Sequence, residues 1–549
     1  MGAGLFWRNR GGNFAIISAL LTVPLVLGAA VVVDFNTISR RQSQLQSAMD
    51  AAALAVAREG KDITQQEADD IAARFLQSNF DTKTTKFSVV RDGTSFTVKG
   101  TAQAEMAFGG LLGYHDWPVV ASSTADIAYA SYEVALVLDT TGSMKGGKLT
   151  AMKQAVLGLI DTMAMQVKNE DKLKFAVVPF ATFVNVGKGF GPKFDKDGRQ
   201  VAGTGAPWLD LKGNSAIPQS ELDVGASRFQ IYQNLGQEWS GCVETRQEVN
   251  GDDYGTGDQP ANPSRAETLF VPAFAIDEPD AGYPNSYINS DAKPKKNDKA
   301  EKKKRFAKYG VATDANGNPL LGGLLDPTLD AVTGLLIDNS GPGNNNGKKI
   351  KIDTANSAAT GKPKGPGHGC EMQPISPLTS DYNALKSKVN SLEANGTTNI
   401  MEGVAWGMRV LSPGEPFAEG ADPKKVGIEK IMVVLTDGSN VFGNAGNDLG
   451  SSYSSFGYLV DGRVGTESGG ATATNELMNQ RTLAACASAK AQGIRVYTIR
   501  LEEPNVKTGM MLKECASSES DFFDAPSRSQ LDEVFSKIKD TIVRVRIAS

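Results

Sequence analysis

The sequence predicts an α/β protein with a doubly wound, mostly parallel sheet. A long insertion interrupts this fold, and a transmembrane helix and a small α+β stem precede it. Short, nearly continuous apolar runs alternate with helical stretches after residue 130, the pattern of strands buried on both faces. A segment rich in Gly, Asn, Asp and Lys breaks that alternation, and an uncharged stretch lies near the N terminus. The chain of 549 residues is long enough for two or three such pieces.

The uncharged stretch runs from Phe14 to Val33. At 1.5 Å per residue, these 20 residues of helix match the hydrocarbon core of a bilayer. A cleaved secretory signal is the alternative, because basic residues lead into the stretch. However, the apolar run is longer than a usual signal core and lacks a convincing cleavage site. We therefore predict an uncleaved single span over residues 13–34, whose orientation the nearly balanced flanking charges leave open.

Residues 35–130 predict a helical and α+β stem. Five apolar residues recur at helical spacing and form one stripe, which we expect to dock on its own domain rather than on another anchored helix: Ile38, Leu45, Met49, Ala52 and Val56. Thr64 and Glu67 form a capping box that opens a second helix. Apolar and polar residues then alternate around Asp92-Gly93, which predicts a hairpin.

The main domain is predicted over residues 131–187 and 376–549. Its expected strands lie in the runs "EVALVLD", "KFAVVPFATFV", "KIMVVLTDG" and "IRVYTIRL". The expected helices are Leu149–Val167, Asp381–Leu392, Met401–Leu411, Glu476–Ala491 and Leu531–Val545. Residues 188–375 are predicted to be a partly disordered insertion, in which the basic run "SDAKPKKNDKAEKKKRF" is a solvated loop.

Composition disfavours several classes of function. The net charge of -5 gives no sign of nucleic-acid binding. Histidine occurs only at positions 115 and 368, which disfavours Ser-His-Asp catalysis and two-histidine zinc sites. The four cysteines allow three pairings, and an even count after a membrane anchor suits an extracytoplasmic setting. Because histidine is scarce, hydrolases that depend on a histidine base are disfavoured.

The loop after the first strand, "DTTGSMKGGKLT", fits two kinds of ligand. Gly142, Gly147 and Lys148 have the spacing of a nucleotide phosphate loop, which would make the protein an NTPase. However, Leu149 stands where that loop needs a hydroxyl for the magnesium of the nucleotide, and Thr150 comes one residue late. On a helix, one residue turns the side chain by about 100°.

A cation site explains the same loop better. Asp139, Thr141 and Ser143 alternate, so an extended stretch can point three oxygen ligands in one direction. Paired hydroxyls in "NGTTNIMEG" and the carboxylate of Asp437 add oxygen donors at other predicted strand ends. Each motif alone is equally a turn or a helix cap. Together, and in this order, they predict a site for a hard cation such as Mg²⁺.

These motifs resemble the metal-ion-dependent adhesion site (MIDAS) of von Willebrand factor A (vWA) domains, which have a Rossmann-like fold. The resemblance aligns "DTTGS", "GTTN" and "LTDG" with the three loops of the family, and Thr141 replaces the usual first serine. It implies five metal ligands: Asp139, Thr141, Ser143, Thr398 and Asp437. It also implies a divalent cation, Mg²⁺ first with Mn²⁺ or Ca²⁺ as alternatives, and a protein partner that offers an acidic side chain to the metal.

The N terminus is similar to the anchor of TadG-type proteins of bacterial tight-adherence (Flp) pilus assembly. The similar segments are "RGGNFAIISALLTVPLVLGAAVVVDF" and "SRRQSQLQSAMDAAALAVA". Ile17 stands five residues after Gly12, where prepilin processing would require a glutamate, so a processed pilin is not expected. The resemblance implies a single-pass protein of the bacterial inner membrane, with a cytoplasmic tail over residues 1–12 and a periplasmic C-terminal domain.

A periplasmic domain favours disulfides, and we expect the pairs Cys242–Cys370 and Cys486–Cys515. The predicted function is non-enzymatic: metal-dependent protein–protein adhesion by a membrane-anchored vWA protein of Flp pilus assembly or attachment. Two alternatives stay open from the sequence. One is the NTPase that uses Gly142–Lys148, and the other is a scaffold whose metal site is structural or empty.

Overall fold

The computed structural model describes most of the chain in two compact units. The described residues are 11–59, 63–80, 86–92, 95–126, 131–167, 170–279, 283–290, 299–320, 350–358, 361–425, 427–443 and 448–542. One unit comprises the N-terminal 130 residues and the last few residues of the chain, and the other is Ser131–Asp540. Most of the predicted cytoplasmic tail, the turn residue Gly93 and the end of the last predicted helix lie outside the described residues.

The first unit begins with one continuous helix, α1 (Gly11–Arg58, 48 residues), where we predicted a span and a separate stem helix. Pro24 lies inside α1, as membrane-spanning helices tolerate. Among the described residues, α1 is the helix whose length and composition would allow it to cross a membrane. Beyond the apolar run, its predicted stripe packs into the core of the unit: Leu45, Met49, Ala52 and Val56 are buried, and Ile38 is partly buried.

The rest of the first unit is α2 (Gln65–Asn79) and an antiparallel sheet of β1 (Lys86–Asp92), β2 (Ser95–Glu105) and β3 (Asp116–Asp126), in that order. The capping box of Thr64 and Glu67 is confirmed. The predicted hairpin is confirmed by the pairing of β1 with β2. Gly100 allows β2 to pack closely on α1, because a Cβ there would lie 2.0 Å from the Met49 side chain.

The second unit contains a six-stranded sheet with the order β11-β10-β9-β4-β5-β8. The strands of this unit are β4 (Ser131–Asp139), β5 (Leu173–Phe180), the short hairpin β6 (Glu248–Val249) and β7 (Asp252–Asp253), β8 (Ser376–Thr379), β9 (Ile428–Thr436), β10 (Arg495–Leu501) and β11 (Phe522–Ala525). The predicted, mostly parallel character is confirmed. Only β8 runs antiparallel to its neighbour within this sheet. It is an edge strand, where Pro377 does not interrupt a ladder on both sides.

Helices connect these strands, and those near residues 149–167, 381–392, 401–411, 476–491 and 531–545 lie close to where the sequence predicts them. The helices within 228–234, 299–308 and 506–515 were not predicted. The α-helices of this unit are α3 (Gly147–Val167), α4 (Arg228–Asn234), α5 (Lys299–Lys308), α6 (Tyr382–Asn390), α7 (Ile400–Val410), α8 (Ala471–Ala491), α9 (Val506–Cys515) and α10 (Leu531–Ile542). Helix α5 corrects one expectation. Half of the basic run predicted to be a solvated loop is this helix, and it ends in buried Arg305, Phe306 and Lys308. Residues 291–298 of the run lie outside the described residues.

The described part of the predicted insertion contributes to the core of the second unit. The ring of Phe270 packs between two tryptophans, edge-to-face with Trp208 and tilted against Trp406 of α7, with ring centroids 5.7 and 5.2 Å apart. Disulfides join Cys242 to Cys370 and Cys486 to Cys515, which are the expected pairs. The limits of the insertion, 188 and 375, stay a prediction, since its described residues belong to the same compact unit as the sheet.

Candidate functional site

The candidate site lies where the central strands β4 and β9 end. These strands are parallel neighbours, and Leu138 pairs with Leu435, so the residues that follow leave the sheet at the same edge. Asp139 is fully buried there. Its Oδ2 accepts a hydrogen bond of 2.6 Å from Thr436 Oγ1, and its Oδ1 accepts one of 2.8 Å from the Thr141 amide. The first carboxylate is therefore held rigidly at the base of the loop.

A second loop, residues 395–399, meets the first one. The Gly142 amide donates to the Gly396 carbonyl at 3.0 Å, and the Asn395 amide donates to the Thr140 carbonyl at 2.7 Å. Gly396 has a φ of 84°, which favours glycine and lets the second loop turn toward the first. This loop leads into α7, and its backbone contacts bring the hydroxyl-bearing segment 397–399 to the edge of the sheet.

Hydrogen bonds link most of the predicted ligands to one another. Thr141 Oγ1 lies 2.9 Å from Ser143 Oγ, and Ser143 Oγ donates to Asp437 Oδ1 at 2.6 Å. Thr398 is buried close to these hydrogen-bonded side chains. A Cβ added to Gly438 would lie 3.5 Å from Thr398 Oγ1 and 3.7 Å from Ser143 Oγ. The structure thus brings all five predicted residues into one neighbourhood at the carboxyl ends of the strands.

The charges of the cluster are unbalanced. Burial, and then the negative charge of Asp437, raise the pKa of Asp139 to about 6, although hydrogen bonds from Thr141 and Thr436 oppose the shift. Lys148 Nζ contacts Asp437 Oδ2 at 2.7 Å, which neutralises one of the two carboxylates. Because both carboxylates are buried, an additional positive charge would stabilise the cluster.

The donor set fits a hard divalent cation. It consists of two carboxylates and three hydroxyls, the oxygen ligands that Mg²⁺ and Ca²⁺ prefer. Among the described residues, no group of three or more His, Cys, Asp or Glu side chains could hold a metal ion. A cation here would therefore depend on hydroxyl oxygens as well as on Asp139 and Asp437.

The residues of the rival phosphate loop have protein partners. The Gly142 amide bonds to Gly396, and the Lys148 ammonium bonds to Asp437. Sequence reasoning assigned Lys148 only to the nucleotide alternative and did not find its ion pair. It also missed Thr436, whose hydroxyl fixes Asp139 and accepts a bond from the Gly438 amide. The position of Thr436, next to Asp437 at the end of an apolar run, was the available signal.

Residues 12–59 match the family Tad, described as "Putative Flp pilus-assembly TadE/G-like". The chain therefore has a TadE/G-like domain at its N terminus. This Tad domain coincides with α1, and an apolar helix with a Tad domain fits a membrane anchor. The match does not extend to the candidate site. No curated protein matches the chain by sequence.

Several solved structures show distant similarity. The pilus adhesin SpaC from Lactobacillus rhamnosus GG matches with 10% identity and a TM-score of 0.30, covering 84% of this chain and 34% of SpaC. The vWF domain of the type V pili tip protein Mfa5 from Porphyromonas gingivalis matches with 9% identity and a TM-score of 0.31, covering 76% of this chain and 98% of that domain. The PilB minor pilin from Streptococcus sanguinis matches with 11% identity and a TM-score of 0.31, covering 84% and 77% of the two chains.

The chain thus spans about a third of the length of SpaC. Identities and TM-scores this low support no conclusion about the activity, ligands or partners of this protein.

Proposed function

We propose that this protein is a TadG-type, membrane-anchored binding module of Flp pilus assembly or attachment, with no enzymatic activity. In this proposal the second unit is a doubly wound vWA domain with a MIDAS-type site. Five residues hold one divalent cation, foremost Mg²⁺: Asp139, Thr141, Ser143, Thr398 and Asp437. An acidic side chain of a partner protein completes the coordination of the ion, so the metal provides the specificity of recognition.

One observation carries the proposal. Oxygen-bearing side chains from three separated segments meet at the carboxyl ends of β4 and β9, and the bond from Ser143 to Asp437 joins residues 294 positions apart. In open α/β sheets this edge is where ligands bind. Turn formation and helix capping explain each segment by itself, but they do not require the three segments to meet.

Further observations support the proposed domain and its location. Both faces of β4 are buried, and Gly403 and Gly407 of α7 pack against the Val137 side chain on one face. In a doubly wound sheet α3 and α6 would cover the other face. The Tad match and the apolar run of α1 support an inner-membrane anchor with a cytoplasmic N terminus. Two disulfides in the second unit are consistent with a periplasmic location.

Calorimetric titration of the full-length protein with MgCl₂, in detergent micelles and after removal of bound metal, tests the cation site. We expect the wild type to bind one Mg²⁺ and Asp139→Asn to bind none. Asp161→Asn is the matched control, because Asp161 is half-exposed and pairs with Lys386 on the surface. Equal binding by wild type and Asp139→Asn would refute the cation site.

Crosslinking with mass spectrometry in intact cells tests the adhesion role. We expect crosslinks from the second unit to an acidic segment of a pilus-assembly component, and we expect EDTA and Asp139→Asn to abolish them. Crosslinks that persist in EDTA, from a protein that does bind Mg²⁺, would instead favour a scaffold with a structural metal.

The same preparations test the nucleotide alternative. Because Lys148 pairs with Asp437, we expect neither the wild type nor Lys148→Ala to bind ATP in equilibrium dialysis. ATP binding by the wild type that Lys148→Ala abolishes would favour the NTPase over the adhesion module.

A further inference from the structure

The connection between β2 and β3, residues 106–115, is fixed to α1 at Asp34. This aspartate is the first charged residue after the apolar run that ends at Val33. Its carboxylate is buried. It accepts hydrogen bonds from the Ala107 amide at 2.7 Å and from the Phe108 amide at 3.1 Å. The connection therefore lies at the level at which the candidate span ends.

The β2–β3 hairpin packs lengthwise against α1. The end of the hairpin that carries this connection is nearest to the apolar run and is called its lower end. Farther along the helix, Gln46 Nε2 donates to the Ser122 carbonyl at 3.0 Å. Asp34 and Gln46 are about 18 Å apart along a helix, and Asp116 and Ser122 are about 20 Å apart along a strand. The two distances agree, so β3 runs nearly parallel to the helix axis, away from the apolar run.

The lower end of the hairpin exposes large aromatic side chains. Phe108 is 41% exposed and Trp117 is 47% exposed, and Phe35 of α1 is more exposed than either. An apolar cleft of about 190 Å³ opens beside them. Its lining includes Leu27, Ala30, Val31, Phe35, Met106 and Trp117. Leu27 and Val31 belong to the apolar run, so one wall of the cleft lies below the end of the candidate span.

We propose that this end of the hairpin is a membrane-docking surface. Phe108 and Trp117 lie in the interfacial region of the bilayer, and a lipid acyl chain occupies the cleft beside Leu27 and Val31. Trp side chains favour the level of the lipid headgroups, and a clustered apolar surface is unfavourable in water. Continuity with the spanning helix identifies the occupant as lipid, because the wall formed by α1 is itself at hydrocarbon depth.

Tryptophan fluorescence of the full-length protein in phosphatidylcholine vesicles tests this proposal. The protein carries Trp7→Phe, and lipids brominated near the glycerol end of the acyl chain serve as quenchers. The difference from a Trp117→Phe variant isolates the emission of Trp117 from that of the remaining tryptophans. We expect lipids brominated near the glycerol end to quench this emission. Lipids brominated near the terminal methyl group should quench it less.

A matched control moves the tryptophan along the same strand. In Trp117→Phe/Val120→Trp, the indole stands about 10 Å farther from the end of the apolar run and on the other face of the sheet, away from the cleft. Val120 is also exposed, so the substitution does not disturb the core. We expect quenching by brominated lipid to fall at least threefold and quenching by aqueous iodide to rise.

Three results would overturn the proposal. The first is an absence of lipid quenching of Trp117, and the second is equal quenching of the two tryptophan positions. The third is protection of Trp117 from both iodide and lipid, which would mean that a second copy of the chain covers the surface. None of these results depends on the cation site.

Discussion

Two of the groups of buried charges in the described part of the second unit differ in how they are neutralised. In the described part of the predicted insertion, Glu244 contacts both Arg228 and Arg463, each at 2.7 Å. At the strand ends, Asp139 and Asp437 lie close together. Among the described residues, the cation that pairs with this group is Lys148, which contacts Asp437. The group around Glu244 thus has two positive charges and one negative charge. The group at the strand ends has two negative charges and one positive charge.

The pKa values reflect this difference. Burial alone would raise the pKa of Glu244, but the two arginines overcome that effect and hold it below its ordinary value. Burial and the neighbouring Asp437 raise the pKa of Asp139 to about 6, since no comparable cation compensates. The comparison indicates that cations of the protein itself compensate the buried carboxylate of the first group. In the proposed function, a cation from solution would supply the positive charge that the second group lacks.

The largest expected effect comes from breaking the complete network. Glu244→Gln leaves two buried guanidinium groups without their charge partner, so we expect the free energy of unfolding to fall by about 3–5 kcal/mol. Urea denaturation of the full-length protein in micelles measures this. Glu238→Gln is the control, because Glu238 pairs with Lys188 in full exposure and its loss should change stability very little. Equal effects of the two substitutions would contradict the structural role.

Mg²⁺ should stabilise the folded protein by binding at the strand-end cluster of Asp139 and Asp437, and not at the network around Glu244. At a concentration 100 times the dissociation constant, binding to the folded state adds about 2.7 kcal/mol to the free energy of unfolding. We expect Glu244→Gln to keep this increment and Asp437→Asn to lose it, as thermal denaturation with Mg²⁺ or EDTA would show. If Mg²⁺ stabilises Asp437→Asn as much as the wild type, the strand-end cluster is not its binding site.

Glu278 tests whether a buried carboxylate without a compensating cation has a raised pKa. It lies in the insertion and accepts hydrogen bonds from two neutral donors, the Tyr458 hydroxyl and the Asn285 amide. Burial raises its pKa from 4.5 to about 7. The folded protein therefore binds this proton more tightly than the unfolded chain does. The stabilisation is complete below the unfolded pKa of 4.5 and is lost as the pH rises through 7.

We accordingly expect the wild type to gain roughly 2 kcal/mol of stability relative to Glu278→Gln when the pH falls from about 8 to about 5. Urea denaturation at several pH values measures this difference. A difference between the two proteins that stays constant over this range would show that the pKa of Glu278 is not raised.

The smallest expected effect is on Mg²⁺ affinity. Lys148→Gln removes the cation that competes for Asp437, so we expect affinity to rise about tenfold, equivalent to about 1.4 kcal/mol. Lys145→Gln is the control on the same loop, because Lys145 is exposed and should change affinity little. An unchanged or lower affinity of Lys148→Gln would mean that Lys148 does not compete with the ion.

Local pattern accounts for much of what the sequence predicted correctly. The capping box of Thr64 and Glu67 depends on residues three positions apart, and the buried strands depend on short apolar runs. The candidate ligands were found for a related reason, since each follows a strand or opens a helix. The helix α5 was missed because its sequence is strongly basic. Its burial depends on distant partners, such as Glu221 and Asp277, which contact Lys308.

The sequence by itself therefore determined the apolar run of α1, the mostly parallel sheet and the oxygen-bearing loops, because periodicity and strand-end chemistry are local properties. Only the tertiary structure decided that β8 pairs antiparallel, that Lys148 neutralises Asp437 and that the β2–β3 connection lies beside Asp34. These contacts join residues far apart in the chain, and their geometry depends on the packing of the whole unit. No short stretch of sequence contains that information.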